Sequence, residues 1–284
     1  MSRRRSDEPT ERFRTRPAPC AGGCGVSTPN HRSPQLRIIL PPSETKRSGG
    51  DGPPLAAGSL AFPELDAARR PLLDAVVRLA GDREASIHAL KLGPKQHDEV
   101  DRNLTLLESP TMPVIDRFTG VLYEGLDAGT LSETAREFAR EHLLVHSALF
   151  GILGGLDRVP AYRLSHDSRV PGFVLKRHWA PQLAAVLEAE SGLLLDLRSE
   201  AYAALGPAPV RPDSVYLRVL TEGPGGVRRA LNHFNKQAKG RFARALLEQG
   251  EAFGDVSALL AWAEAAGWRL ETLPERPGEL ALIV

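Results

Sequence analysis

The feature that most constrains the fold is an apolar run at residues 143–150, which is typical of a strand buried inside a sheet. Shorter apolar runs at 36–40 and 193–197 predict two further strands. Segments with helical spacing separate these runs, strands and helices do not alternate strictly, and the sequence shows no internal repeat. We therefore predict an α+β (mixed α/β) fold, in which residues 36–284 form a single domain with a mixed β-sheet surrounded by helices.

The other elements are predicted from apolar spacing and from the positions of proline and glycine. Helices are expected over residues 64–80, 82–91, 94–106, 113–125, 132–143, 175–190 and 255–266. A β-hairpin is expected for residues 215–219 and 227–234 around the turn at 223–226, and a closing strand pair for 268–272 and 280–284.

The first 35 residues are rich in Arg, Pro, Gly and Ser and lack apolar periodicity, which predicts a disordered extension. They contain both cysteines of the chain, Cys20 and Cys24, so the remainder cannot hold a disulfide framework. Neither a targeting signal nor a run long enough to cross a membrane is present, which predicts a cytoplasmic protein. We consider Val26 a candidate for an alternative start of translation.

Positive charge is concentrated in one part of the chain. The whole sequence carries +1 and residues 1–37 carry +5, so the rest is acidic, yet residues 211–244 carry +6. This asymmetry indicates a localised anionic partner.

Much of that charge lies on a predicted amphipathic helix that ends at Gly250. We expect Asn235 to cap its start, and we expect Lys236 and Lys239 to lie in its first turn, where cations oppose the helix dipole unless an anion binds. Gly240 indicates a close approach of another backbone or of a ligand. The alternative is an ordinary amphipathic helix with a solvated basic face.

Other polar residues follow predicted strands. Ser43 and Lys46 lie in a loop at the carboxyl end of the first strand, where α/β folds often bind ligands. Asp196 and Glu200 lie at and just after the end of another strand and could act as general acid and base, with Tyr202 or Ser199 beside them. Alternatively, the two carboxylates pair with Arg198, Arg163 or Lys236.

Several common sites are disfavoured. The sequence contains no phosphate-binding loop, no dinucleotide fingerprint and no Gly-x-Ser-x-Gly motif, which argues against ATP hydrolysis, NAD chemistry and a serine hydrolase. His142 and His146 have the spacing of a zinc pair, but two partly buried histidines with hydrogen-bonded tips are the preferred interpretation. We predict no metal and no cofactor.

A series of segments resembles the YaaA peroxide-stress protein family, in order, across about residues 36–284. The matching segments are LPPSETK at 40–46, FTGVLYEGL at 118–126, SALFGIL at 147–153, YRL at 162–164, LDLRSEAY at 195–202 and FNKQAKG at 234–240. Other members often have Lys-Thr where this chain has Glu44-Thr45.

The resemblance implies an unusual single-domain fold and a cytosolic protein that limits unincorporated iron during peroxide stress, and we favour a non-enzymatic role over an enzymatic one. It also implies binding of duplex DNA through a basic cleft and a helix-hairpin-helix element, without a membrane or a stable protein partner. The residues that we expect to contact phosphate are Lys236, Lys239, Arg241, Arg244, Arg163, Ser43 and Lys46.

Four phosphate contacts from the basic helix would give a log–log salt slope of about −3.6, that is, roughly hundredfold weaker binding between about 50 and 200 mM salt. The alternative function is a glycosidase- or lyase-like enzyme that acts on a nucleotide or nucleobase, with the basic helix holding a phosphate.

Overall fold

The central sheet is built around the predicted buried strand. The computed structural model describes residues 36–223, 228–230 and 234–284, so the predicted N-terminal extension with its two cysteines lies outside the described residues. In those ranges the strands are β1 (Arg37–Leu40), β2 (Met112–Pro113), β3 (Leu143–Ser147), β4 (Gly151–Gly154), β5 (Arg158–Val159), β6 (Leu194–Asp196), β7 (Ser214–Glu222), β8 (Arg228–Ala230), β9 (Arg269–Thr272) and β10 (Glu279–Ile283).

Helices cover much of the remaining described chain. They are α1 (Asp66–Ala80), α2 (Arg83–Ala89), α3 (Glu99–Leu104), α4 (Val114–Arg117), α5 (Val121–Leu126), α6 (Glu133–His142), α7 (Leu175–Ala189), α8 (Glu200–Leu205), α9 (Phe234–Gln249) and α10 (Val256–Ala265). Among these, no helix combines the length and apolar character that crossing a membrane requires.

The sheet is mixed, as predicted. Its order is β4-β3-β1-β6-β7-β10-β9, and β8 pairs with the end of β7. The strands β3, β1, β6, β7 and β10 are parallel, whereas β4, β8 and β9 are antiparallel additions. All five residues of β3 are buried, as the apolar run predicted, because helices cover both faces of most parallel sheets.

Two predicted helices are interrupted. The expected helix at 94–106 divides into a 3₁₀ turn, Pro94–Gln96, and α3; the Gln96 side chain accepts the Gly93 N–H, so the turn is closed locally. The expected helix at 113–125 divides into α4 and α5 because the chain is extended at Phe118, which has a ψ of 144°, and α5 starts only after Gly120, which has a φ of 94°.

Two more predictions concern the later part of the chain. The hairpin and the closing strand pair are confirmed as β7–β8 and β9–β10, although residues 224–227 of the hairpin turn lie outside the described part. The basic helix is also confirmed, but α9 begins at Phe234. The expected cap at Asn235 is therefore wrong: this residue lies inside the first turn, and Lys239 lies in the second.

Candidate functional site

Three parallel strands bring their following loops to one edge of the sheet. The chain runs from β1 to β3 on one side and later returns to β6 on the other side of β1. Such a reversal of strand order leaves room for a ligand at the carboxyl ends of the strands. The loop 41–46 follows β1, Ser147 ends β3, and Arg198 follows β6.

Lys46 is the central residue of the first loop. It is buried and pairs across an isolated bridge with Phe118, in the turn between α4 and α5. Its Nζ donates to the carbonyl oxygens of Ser43 and Glu44 at 2.9 and 3.1 Å, and it lies 4.3 Å from the centre of the Tyr162 ring. Burial, together with the charge of Arg163, lowers the pKa of Lys46 to about 7.

Arg163 provides a second buried cation at this edge. Asn103 fixes its backbone from both directions, donating to the Arg163 carbonyl at 2.7 Å and accepting its N–H at 2.8 Å. The guanidinium donates to the Glu44 carboxylate at 2.8 Å, and the Glu44 side chain is 57% exposed. The buried Arg163 is therefore paired with a carboxylate that is exposed to solvent.

Three hydroxyl groups come from the same loop and from the turn that it contacts. The Thr45 hydroxyl is 3.2 Å from that of Ser43 and 2.9 Å from that of Thr119. Gly120 makes room for them, since a Cβ there would lie 3.3 Å from the Ser43 hydroxyl oxygen. We call these three hydroxyls the hydroxyl cluster, and we call the cluster together with Lys46 and Arg163 the edge site.

Tyrosines line the inner side of the edge site. The Tyr123 hydroxyl donates to the Pro41 carbonyl at 2.9 Å, and Tyr162 shares a 2.7 Å hydrogen bond with Ser147. Burial raises the pKa values of Tyr123, Tyr162 and Tyr202, so these phenols stay neutral at physiological pH.

A different arrangement follows β6. The carboxylate of Asp196 accepts from the Arg198 side chain through both oxygens, at 2.9 and 2.6 Å, and both residues are buried. Arg198 also donates to His146 Nδ1 at 2.9 Å. Its carbonyl accepts from Lys239 at 3.1 Å and from Tyr216 at 2.9 Å. We call these five residues the Arg198 cluster. Asp196 is paired with Arg198, which is the alternative to an acid–base role.

The other proposed acid and base residues are separated. Glu200 begins α8, and its exposed carboxylate accepts from Arg218 at 2.9 Å. Tyr202 is buried with its ring 5.5 Å from the ring of His146. With Asp196 occupied by Arg198, these residues do not form an open acid–base pair in this structure.

The paired histidines have hydrogen-bonded rings. His142 Nδ1 shares a 2.8 Å hydrogen bond with the Leu36 carbonyl, and burial with the nearby Arg198 lowers the pKa of His146 well below its usual value. The interpretation of buried histidines with hydrogen-bonded tips fits His142, whereas His146 is fully buried and only its Nδ1 is hydrogen-bonded, because its Nε2 has no partner among the described residues. Among the described residues, no group of three or more His, Cys, Asp or Glu side chains could hold a metal.

The helix α9 packs directly on α5. A Cβ at Gly240 would lie 2.0 Å from the Leu122 carbonyl oxygen, and one at Gly125 would lie 2.6 Å from that of Gln237. The predicted close approach at Gly240 is therefore that of another backbone. Because α5 starts immediately after Gly120, this contact fixes α9 relative to the hydroxyl cluster.

The four cations of α9 differ in their surroundings. Lys239 is buried in the Arg198 cluster, and burial lowers its pKa to about 8. Arg244 donates to the carbonyls of Leu126 and Asp127 at 3.0 and 2.8 Å, at the end of α5. Lys236 and Arg241 are exposed and form no ion pair with the carboxylates of the described residues.

The structure thus brings together Ser43, Lys46 and Arg163, and separately joins Lys239 to the carbonyl of Arg198, whose side chain pairs with Asp196. Sequence analysis did not single out Thr45, Thr119 or Tyr162 as parts of a site. A signal was present for Thr119 and Tyr162, since both lie in segments that resemble the family, at 118–126 and 162–164.

Known proteins of one family are similar to this chain over most of its length. The chain matches a family model described as peroxide stress protein YaaA over residues 36–272. A UPF0246 protein of Corynebacterium glutamicum is 37% identical over 254 residues, covering 88% of this chain and 100% of the relative. A UPF0246 protein of Streptomyces coelicolor is 42% identical over 225 residues, covering 76% and 85%. One of Corynebacterium efficiens is 35% identical over 257 residues, covering 88% and 100%.

Proposed function

The chain belongs to the peroxide stress protein YaaA family, and from this membership we propose that it acts in peroxide stress by binding the phosphate backbone of duplex DNA. The contacts come from the edge site and from the exposed cations of α9. The observation that carries the proposal is the fixed packing of α9 on α5, which joins exposed positive charge to the hydroxyl cluster.

The chemistry of the edge site fits a phosphodiester. The hydroxyls of Ser43, Thr45 and Thr119 can donate to phosphate oxygens, and the guanidinium of Arg163 lies close by. The carboxylate of Glu44 opposes an anion at the same place, and its pair with Arg163 offsets part of that repulsion. Removal of the Glu44 charge should therefore strengthen DNA binding, which provides a test of the proposal.

The expected salt dependence is smaller than the sequence alone suggested. Lys239 and Arg244 are engaged with carbonyl oxygens, so only Lys236 and Arg241 remain on α9 as exposed phosphate contacts. Two such contacts give a log–log slope of about −1.8 from the helix, compared with about −3.6 for four. Backbone contacts of this kind carry no sequence information, so binding is largely sequence-independent.

The test is a fluorescence-anisotropy titration of one labelled duplex from low to high salt. We expect Lys236→Ala/Arg241→Ala to weaken binding and to reduce the slope by about 2, because each lost phosphate contact lowers it by about 1. The matched control is Lys176→Ala/Arg177→Ala, which removes the same charge from exposed positions on α7. Glu44→Gln should tighten binding. Equal affinities and slopes for all four proteins would refute the proposal.

Limitation of unincorporated iron, the other role that the resemblance implies, also belongs to this proposal, as a cellular outcome. It is tested by measuring chelatable iron by electron paramagnetic resonance in cells that lack the protein and are exposed to peroxide. We expect more chelatable iron than in the parent strain, and restoration by the wild-type gene. Unchanged iron would remove this part of the proposal and leave DNA binding in place.

A further inference from the structure

The amine of Lys46 is unusual because it is buried and, among the described residues, no carboxylate forms an ion pair with it. It donates to two carbonyl oxygens, those of Ser43 and Glu44. A neutral amine has two N–H groups, which these two acceptors satisfy, and it retains one lone pair. The rings of Phe118 and Tyr162 form the walls beside it, at 5.1 and 4.3 Å.

On balance, burial and the charged groups around this amine favour its neutral, unprotonated form. Burial has the largest effect on the pKa of Lys46, the cations Arg163 and Arg102 act in the same direction, and Glu99 and Glu44 oppose them; together they lower the pKa to about 7. A substantial fraction of the amine is then unprotonated at neutral pH. Desolvation and neighbouring cations are the usual means by which enzymes make a lysine nucleophilic towards carbonyl compounds.

Resting on the proposed DNA binding, we propose that the Nζ of Lys46 attacks the aldehyde carbon of an abasic deoxyribose and cleaves the strand as a lyase. Intact DNA holds C1′ of each sugar in a glycosidic bond and offers no aldehyde. An abasic sugar opens to the aldehyde, and it is slim enough to approach a residue that is only 6% exposed. Oxidative loss of bases produces this substrate class.

The steps balance without an oxidant or a reductant. The Nζ lone pair forms a bond to C1′, the carbonyl oxygen takes up a proton, and loss of water gives an imine. A base then removes a proton from C2′, the electron pair forms the C2′–C3′ double bond, and the bond from C3′ to the 3′ phosphate oxygen breaks. Water finally hydrolyses the imine and releases the lysine and an unsaturated aldehyde.

Glu44 is the group to which we assign the C2′ proton. It is a carboxylate whose charge acts on Lys46, and it is exposed at the surface where the DNA would lie. The nearby tyrosines are unsuitable as bases, since burial raises the pKa values of Tyr162 and Tyr202 and keeps them protonated.

The test uses a labelled duplex with one abasic site, the full-length protein and sodium borohydride, which reduces an imine to a stable amine. We expect a covalent protein–DNA adduct on a denaturing gel, and we expect peptide mass spectrometry to place it on Lys46. The Lys46→Met variant should lose the adduct, and Lys95→Met, at an exposed lysine of a surface turn, should keep it. Adduct formation should increase as the pH rises through about 7.

Glu44→Gln separates the two chemical steps. It should still be trapped by borohydride but should cleave the abasic strand much more slowly, because imine formation does not need the carboxylate. Mapping the adduct in the wild-type protein keeps the test valid even if Lys46→Met folds poorly.

Failure of this inference is distinguishable from failure of the proposed function. If wild-type protein binds an intact duplex but gives no adduct, or gives one on a different lysine, the lyase inference is overturned and DNA binding stands. If an intact duplex is not bound and no adduct forms, both are overturned.

Discussion

The edge site and the Arg198 cluster lie at the same edge of the same sheet, and each contains a buried arginine and a buried lysine. In the Arg198 cluster, the carboxylate of Asp196 is buried and uses both oxygens for Arg198. At the edge site, the partner of Arg163 is Glu44, whose side chain is 57% exposed. The comparison indicates that charge alone does not decide the role of a buried cation. A cation whose partner carboxylate is buried stabilises the fold, whereas one whose partner is exposed remains available to a ligand.

The largest expected effect concerns the Arg198 cluster. Asp196→Ala leaves Arg198 buried without its carboxylate, and loss of one partner from a buried pair typically costs about 3–5 kcal/mol. Glu44→Ala at the edge site should cost less, because the Glu44 carboxylate is exposed and water can replace it beside Arg163. Urea unfolding followed by circular dichroism measures both values. Similar losses for the two variants would remove the distinction between the regions.

A second prediction concerns the pH dependence of stability. The pKa of Lys46 falls from 10.5 to about 7 on folding, so the unfolded chain binds more protons between these values. The free energy of unfolding should therefore rise with pH in this window, by up to about 1.4 kcal/mol per pH unit from this lysine. Lys239, with a pKa of about 8, should contribute in the same direction over a narrower window.

The measurement is urea unfolding at several pH values between 7 and 9.5, below the range in which the tyrosines titrate. Lys46→Met should flatten the dependence more strongly near pH 7.5 than Lys239→Met does. Lys95→Met, at an exposed position, should leave the curve unchanged. A Lys46→Met protein with the wild-type dependence would show that this lysine does not lose its proton as described.

The sequence predicted the elements whose signals are local. The apolar run of β3, the helix α7 and the closing pair β9–β10 were expected within a few residues of their observed bounds. The break before α5 was not expected, because the extended conformation of Phe118 accompanies its pairing with Lys46, which is distant in sequence. The fold class was predictable because buried strands and periodic helices occur in the same chain.

The site was predictable only in part. The position of Ser43 and Lys46 after a strand placed them at the carboxyl edge, but the arrival of Arg163 depends on a contact with Asn103, 60 residues away in sequence. The surroundings of Lys239 and Arg244 depend on carbonyls 41 and 118 residues away. Charge patterns reveal how many cations a helix carries, whereas only the tertiary structure reveals which of them already have partners.

The most direct test of the central claim is amide hydrogen exchange of the protein with and without a saturating intact duplex. We predict slower exchange in residues 43–46, 118–122 and 235–242, and unchanged exchange in β6 of the Arg198 cluster. Protection confined to other segments, or an absence of protection at saturating DNA, would contradict the account.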